Sequence, residues 1–202
     1  MKNSNFLRNI LASVSLSLML ALSGYAQKAQ PSTDWYAPQT IKTVGADKYG
    51  EIMKALKKRN SVSLAFHYER SSWCGLDMEA FIRRFARLDD ADSLVFASLL
   101  SEWEDAVVSE SGMAKGTNTP FTLHVLLKKV SKDAGITAEG LLVYGETVPV
   151  LRMDLSVEDG RWNDFSTLLV ENGEKMGKLM HSTFKDIHSF PRLYNKQYLI
   201  RK

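Results

Sequence analysis

The sequence contains only one cysteine, Cys74, in 202 residues. An intramolecular disulfide is therefore excluded, and the stability of the domain must come from a packed core. Common catalytic motifs are also missing: there is no Gly-x-Ser-x-Gly nucleophile motif, no phosphate-binding glycine loop and no pair of histidines at metalloprotease spacing. The sequence thus points to no particular reaction, and we expect neither a metal nor a cofactor.

Long apolar runs are scarce, and the main one, Ile10 to Leu22, lies near the N-terminus. Lys2 and Arg8 precede it, and small residues follow it at positions 24 and 26. This arrangement is typical of an export signal, and the run is shorter than the roughly 20 residues that a membrane helix needs. We therefore predict that residues 1–26 are cleaved, that no transmembrane segment remains, and that the mature protein is periplasmic or extracellular.

Neither sign of charge dominates the mature chain. The whole sequence has a formal net charge of +3. Lys2 and Arg8 are the only charged residues before position 27, so cleavage lowers the net charge by two, to +1. A nearly balanced chain has no electrostatic reason to bind nucleic acid or an anionic membrane.

Hydrophobic periodicity divides the mature chain into an extended lead-in, residues 27–45, and a single domain, residues 46–202. The predicted helices cover Asp47 to Arg59, Leu76 to Leu88, a segment capped by Asp92, and Phe165 to Ile187. The predicted strands cover Val62 to Tyr68, Phe121 to Val130, Thr137 to Tyr144 and Val150 to Val157, with Leu193 to Ile200 as an edge strand or packed tail. Short links favour an antiparallel meander for the last three long strands. We therefore expect an α+β fold, with a mostly antiparallel sheet of about four to five strands and helices packed on it.

Two glycines four residues apart, Gly173 and Gly177, lie within the last predicted helix. Each costs a helix about 1 kcal/mol relative to alanine. A close approach by a neighbouring element is the usual reason for such a cost, and we expect that neighbour to be the sheet.

The segment Trp73-Cys74-Gly75, between a predicted strand and a predicted helix, resembles the thioredoxin family. The resemblance implies a redox thiol at Cys74, activated by a helix N-terminus, with Pro149 as the cis-proline of the family. The second cysteine of the family falls on Asp77, so no disulfide can cycle within the chain, and this carboxylate should raise the thiol pKa. The alternative function is therefore a single-thiol oxidoreductase, whereas a semi-buried, inert thiol is the simpler interpretation.

Two histidines, His67 and His124, fall on the less apolar faces of predicted strands and become neighbours if those strands pair. Partly exposed histidines of no special role are a simpler interpretation than a metal site. In the lead-in, Trp35 and Tyr36 supply aromatic rings that can dock onto the domain. We take these four residues, together with the exposed edge of the meander, as candidate contact surfaces for a partner.

Over residues 55–187 the chain resembles a group of uncharacterised small exported proteins of Gram-negative bacteria. The matching segments are VSLAFHYE (62–69), LDMEAFIRRF (76–85), FTLHVLLKKVSKDAG (121–135) and ENGEKMGKLMHSTF (171–184). The resemblance implies an α/β sandwich, distantly like TolB N-terminal and curli-secretion domains, which serve as binding or assembly modules. It therefore implies a non-catalytic binding or assembly module whose expected partner is another envelope protein, and it carries over no catalytic residue.

Overall fold

The protein is described here by a computed structural model that covers residues 33–37, 52, 54, 56, 62–89, 93–115, 119–145, 148–158 and 164–189. The predicted signal peptide, most of the lead-in, the capping residue Asp92 and the segment Leu193 to Ile200 lie outside these residues. The strands are β1 (Val62–His67), β2 (Ser72–Trp73), β3 (Leu76–Asp77), β4 (Ala114–Lys115), β5 (Phe121–Val130), β6 (Ile136–Tyr144) and β7 (Val148–Asp154). The helices are α1 (Met78–Asp89), α2 (Ser93–Ser111) and α3 (Phe165–Ser189). Ile52, Lys54 and Leu56 are also helical, as the predicted first helix requires.

The sheet in the described part of the chain has seven strands and is mixed, so the expected sheet of four to five mostly antiparallel strands is only partly right. Strand β5 lies at its centre. On one side, β5 pairs in parallel with β1 and β2, and β1 in turn pairs in parallel with β4. On the other side, β6 and then β7 follow in antiparallel order, which is the predicted meander. The parallel pairs arise because α1 and α2 occupy the connection between β1 and β5, as parallel neighbours require. The short strands β2, β3 and β4 have too few residues to show a period.

Strands β1 and β2 behave as one strand with an interruption. His67 pairs with Leu126, and Ser72 pairs with Lys129, so five steps along the outer strand match three steps along β5. β5 has its own irregularity between Leu127 and Lys129. The extra residues, 68–71, leave the ladder at this point, as they do in a β-bulge.

The main core lies on one face of the sheet, which we call the core face, beneath the helices. Its strand residues alternate with polar ones, and both tryptophans of the described core, Trp73 and Trp103, are 1% exposed. The opposite face, which we call the polar face, carries the other half of each strand. Three apolar side chains of the polar face, Leu126, Leu141 and Val143, are nevertheless buried, apart from the main core cluster.

The two glycines of α3 face helix α2, so the expectation that they face the sheet was wrong. A Cβ atom on Gly173 would lie 2.8 Å from Cδ1 of Trp103, and one on Gly177 would lie 2.7 Å from the carbonyl oxygen of Val107. Contacts this short leave no room for a side chain, so the two helices pack with their backbones unusually close. Among the described residues, no helix has both the length and the apolar character that a bilayer crossing requires.

Candidate functional site

Parallel pairing of β1 with β5 brings His67 and His124 together on the polar face. Ala65 pairs with His124 and His67 with Leu126, so the two histidines are diagonal neighbours. Nε2 of His67 lies 2.9 Å from Nδ1 of His124. One ring must donate this hydrogen bond and the other must accept it, so the pair cannot carry a proton on both of these nitrogens.

The two aromatic residues of the lead-in cover this histidine pair. Trp35 stacks on His124, with ring centroids 3.9 Å apart and an interplanar angle of 24°. The Tyr36 hydroxyl oxygen lies 2.8 Å from the backbone carbonyl oxygen of His67 and 3.0 Å from that of Leu127, so its single proton is shared between the two acceptors. Both carbonyls lie where the β1–β5 ladder is interrupted, so Tyr36 supplies a donor to acceptors that the ladder leaves unpaired.

Two charged residues of the segment 68–71, which leaves the strand ladder, border the cluster. The guanidinium carbon of Arg70 lies 5.7 Å from the centroid of the Tyr36 ring, within the range of a cation–π contact. A carboxylate oxygen of Glu69 lies 3.7 Å from Nδ1 of His67, and the Glu69 side chain is 70% exposed. The segment 68–71 therefore places one positively and one negatively charged residue at the rim of the cluster.

Burial sets the protonation state of the cluster. Burial lowers the pKa of His67, and the nearby Glu69 carboxylate opposes this change. For His124, burial and then the neighbouring His67 lower the pKa to about 3. Burial, followed by the charge of Glu69, raises the pKa of Tyr36 to about 12. At neutral pH both histidines are therefore neutral and the tyrosine is protonated.

We call the group formed by Trp35, Tyr36, His67, His124 and Arg70 the aromatic platform. The structure thus unites all four predicted contact residues, and it adds Arg70. Trp35 and Tyr36 are half-buried, and Arg70 is exposed. The sequence could not indicate Arg70, because only the interruption of the ladder turns it back over Tyr36.

A groove of about 630 Å³ lies further across the sheet, beside β7. Its charged residues form a row in which Glu139 pairs with Lys128 and, with 2.6 Å between Nε and Oε1, with Arg152. Asp154 lies directly opposite Glu139 in the β6–β7 register. The groove is close to the platform because His124 pairs with Leu141, which in turn pairs with Arg152.

A third polar group, which the sequence pattern did not indicate, joins the segment 68–71 to α2 and β4. The buried Tyr68 hydroxyl donates to Oε1 of Glu104, and Lys115 Nζ lies 2.6 Å from the other oxygen of that carboxylate. Burial and then the Glu104 charge raise the pKa of Tyr68 well above its usual value. The hydroxyl, the carboxylate and the ammonium group satisfy one another's hydrogen-bonding capacity, which indicates a structural role. We call this group the structural tie.

Cys74 does not occupy a helix N-terminus. Helix α1 begins at Met78, and its first turn is capped by Asp77, whose Oδ1 accepts the N–H of Ala80 at 2.7 Å. The Cys74 backbone instead takes a left-handed conformation, with φ of 53°, in the turn between β2 and β3. The macrodipole therefore lacks the position from which it would favour a thiolate.

The surroundings of the thiol also differ from those that the thioredoxin resemblance implies. Burial is the largest cause that raises the Cys74 pKa above its ordinary value. The thiol donates to the Ser131 carbonyl at 3.6 Å. Pro149 has a trans peptide bond and pairs with Val143, at the end of the meander away from Val130, which accepts the Cys74 N–H at 2.8 Å.

Within the described ranges, no three histidine, cysteine, aspartate or glutamate side chains are grouped as a metal ion would need. Comparisons with known proteins add little. No protein-family model matches the chain, and no curated protein matches it. The chain is similar to a solved DUF330 protein from Xanthomonas campestris, with 14% identity and a TM-score of 0.34, over 44% of this chain and 65% of that one. A score this low does not establish a common fold, and these comparisons do not show the TolB, curli-secretion or thioredoxin resemblances.

Proposed function

We propose that the protein is an exported, non-catalytic binding module of the cell envelope, and that its aromatic platform contacts another envelope protein. The observation that carries this proposal is the platform itself. It gathers tryptophan, tyrosine and arginine, the residue types that are most enriched in interface hot spots, on a half-exposed patch of one sheet face.

Contacts within the chain hold the platform in place, which favours binding. Trp35 is held by its stack on His124, and Tyr36 by its hydrogen bonds to two backbone carbonyls. Rings held this way lose little further freedom when a partner binds, so more of the contact energy appears as affinity. The neutral centre and the charged rim at Glu69 and Arg70 match the usual anatomy of a protein interface.

A catalytic role has less support from the same contacts. The nitrogens that His67 and His124 direct at each other are occupied by their mutual hydrogen bond. A general base needs a nucleophile or substrate proton within hydrogen-bond reach. The other candidate group, the thiol of Cys74, donates its hydrogen bond to the Ser131 carbonyl, in a turn at the end of β5.

Site-specific photo-crosslinking in the native envelope tests the binding role. A photo-reactive amino acid replaces Arg70 in the full-length chain, and a matched control replaces Arg83, an arginine on α1 whose side chain is 66% exposed. We expect a discrete, ultraviolet-dependent adduct from position 70 and none from position 83. The absence of an adduct at position 70, or equal adducts at both positions, would overturn the proposal.

Export is tested separately from binding. We expect the mature protein in the envelope fraction to begin at Gln27, because the signal pattern places cleavage after Ala26. N-terminal sequencing of the purified protein decides the point. A protein that retains residues 1–26 and stays in the cytoplasm would contradict export.

A further inference from the structure

Strand β7 lies at an edge of the sheet that the described strands form, because among them it pairs only with β6. A groove of about 630 Å³ is lined by four consecutive residues of this strand and extends to residues of β5 and β6. The strand residues are Leu151, Arg152, Met153 and Asp154, and the other lining residues include Lys128, Glu139 and Thr183.

The backbone of β7 presents hydrogen-bonding groups at this edge. The N–H of Leu155 donates to the carbonyl of Ala138 at 3.1 Å, so residue 155 directs its backbone groups toward β6. Along an antiparallel strand this direction alternates from residue to residue. Arg152 and Asp154 therefore direct their N–H and C=O groups away from β6, at the open edge of β7.

The same two residues carry opposite charges on the polar face. Arg152 and Asp154 are both exposed and lie two positions apart. Asp154 lies directly across from Glu139 and forms no ion pair among the described residues. Hydrogen bonds from Ser156 and, to a smaller extent, the charge of Lys128 lower the pKa of Asp154, so this carboxylate is ionised at neutral pH and can attract a cation across the open edge of β7.

We propose that this edge binds a second copy of the chain, with the two β7 strands antiparallel about a twofold axis at Met153. This register places Arg152 opposite the partner's Asp154, and by symmetry Asp154 opposite the partner's Arg152. Each of these pairs exchanges backbone hydrogen bonds, because these are the residues whose backbone groups point away from β6. An interface that complements itself in this way is what a twofold dimer requires.

The dimer is expected to be weak and dependent on concentration. Pro149 has no N–H to contribute to a ladder, so pairing is confined to the second half of β7. A short paired edge buries less area than a stable dimer does. The proposal rests on the strand edge and its charges, so it stands or falls independently of the aromatic platform.

Sedimentation equilibrium of the mature chain tests the proposal. We expect the wild type to dimerise as its concentration rises. Arg152→Asp or Asp154→Arg alone places like charges opposite each other at both positions, and each should raise the dimer dissociation constant by roughly tenfold or more. An equimolar mixture of the two single variants restores unlike charges at both positions, so it should associate about as well as the wild type.

A second readout locates the contact, and circular dichroism confirms that each variant folds. The amides of Arg152 and Asp154 should exchange more slowly with solvent as the concentration rises, because the dimer bonds them. A wild type that stays monomeric, single variants that dimerise unchanged, a mixture no better than its components, or exchange rates independent of concentration would each overturn the proposal.

Discussion

Nδ1 of His124 lies 2.9 Å from Nε2 of His67, although 57 positions separate the two residues in sequence. The contact exists because β1 and β5 pair in parallel, and Trp35 then covers it. The two neutral imidazoles should therefore be sensitive to protonation, to removal of the Trp35 ring and to replacement of either histidine. The first two predictions measure this sensitivity.

We predict that the protein loses stability as the pH falls below about 6.5. Burial lowers the pKa of His67 and His124 below 6.5, and that of His124 to about 3. The folded state therefore binds fewer protons than the unfolded state below that pH. The stabilisation is complete above the unfolded pKa and decreases as the pH falls below it, for His124 by about 1.4 kcal/mol per pH unit down to about pH 3.

Urea unfolding at neutral pH and near pH 5 measures this loss. Its control is His124→Asn, which keeps a polar group near Nδ1 but does not titrate. We expect the variant to lose about 2 kcal/mol less than the wild type over this interval. Equal losses in the two proteins would show that the protonation of His124 is not the cause.

Replacement of Trp35 by alanine should expose His124. The stack at 3.9 Å would be lost, and an aromatic pair contributes about 0.5–1.5 kcal/mol beyond its burial. Because burial is the main cause of the lowered His124 pKa, the variant should titrate His124 closer to its ordinary value. An NMR titration of the imidazole protons measures this change, and Trp35→Phe, which keeps an aromatic ring, should show a smaller one. An unchanged His124 pKa in Trp35→Ala would refute the conclusion that the Trp35 ring buries His124.

Tyr68→Phe should destabilise the fold although it keeps the ring. The variant removes the hydroxyl that donates to Glu104, whose other oxygen pairs with Lys115. A hydrogen bond to a charged group contributes about 1.5–3 kcal/mol. Tyr144→Phe is the control, since Tyr144 is half-buried against Phe121 and makes no hydroxyl bond among the described contacts. Similar midpoints in thermal unfolding for both variants would contradict the structural tie.

Gly177→Ala should destabilise the protein, even though alanine favours a helix by about 1 kcal/mol. The new Cβ would lie 2.7 Å from both the Val107 carbonyl oxygen and the Glu110 Cβ. Because one of these contacts is backbone, the helices must separate, and overpacking of this kind costs about 1–3 kcal/mol. Glu174→Ala, on the same helix but more exposed, is the control. If Gly177→Ala proves more stable than the wild type in urea, the close helix contact is wrong.

The native thiol of Cys74 should react with a chromogenic disulfide more slowly than the thiol of the urea-unfolded chain. Burial raises its pKa, and the thiolate is the reactive form. Stopped-flow rates across neutral and alkaline pH measure the difference. A native rate above the unfolded one would revive the single-thiol oxidoreductase hypothesis.

Long periodic segments of the sequence predicted their elements well. Phe121 to Val130 is a strand with the predicted ends, and the last helix begins at the predicted Phe165. Alternation over ten residues, or a stripe over six turns, leaves little room for another interpretation. The antiparallel meander was also predictable, because short links between strands allow few arrangements.

Other features depend on contacts that a local pattern does not specify. The parallel pairing of β1 with β5 joins residues about 60 positions apart, since Val62 pairs with Phe121. The sequence showed that Gly173 and Gly177 need a close neighbour, but a small residue fits against a helix as well as against a sheet. For the platform, the polar faces of two strands indicated His67 and His124. The stack of Trp35 on His124 joins residues far apart in the sequence, and the placement of Arg70 depends on the interrupted ladder.

The most direct test of the binding role is the crosslink from position 70, measured with and without the Trp35 ring. If the platform is the contact surface, Trp35→Ala should remove most of the adduct while the protein stays folded and exported, and Trp35→Phe should keep much of it. An adduct of undiminished yield from a folded Trp35→Ala protein would show that the partner does not recognise the aromatic platform.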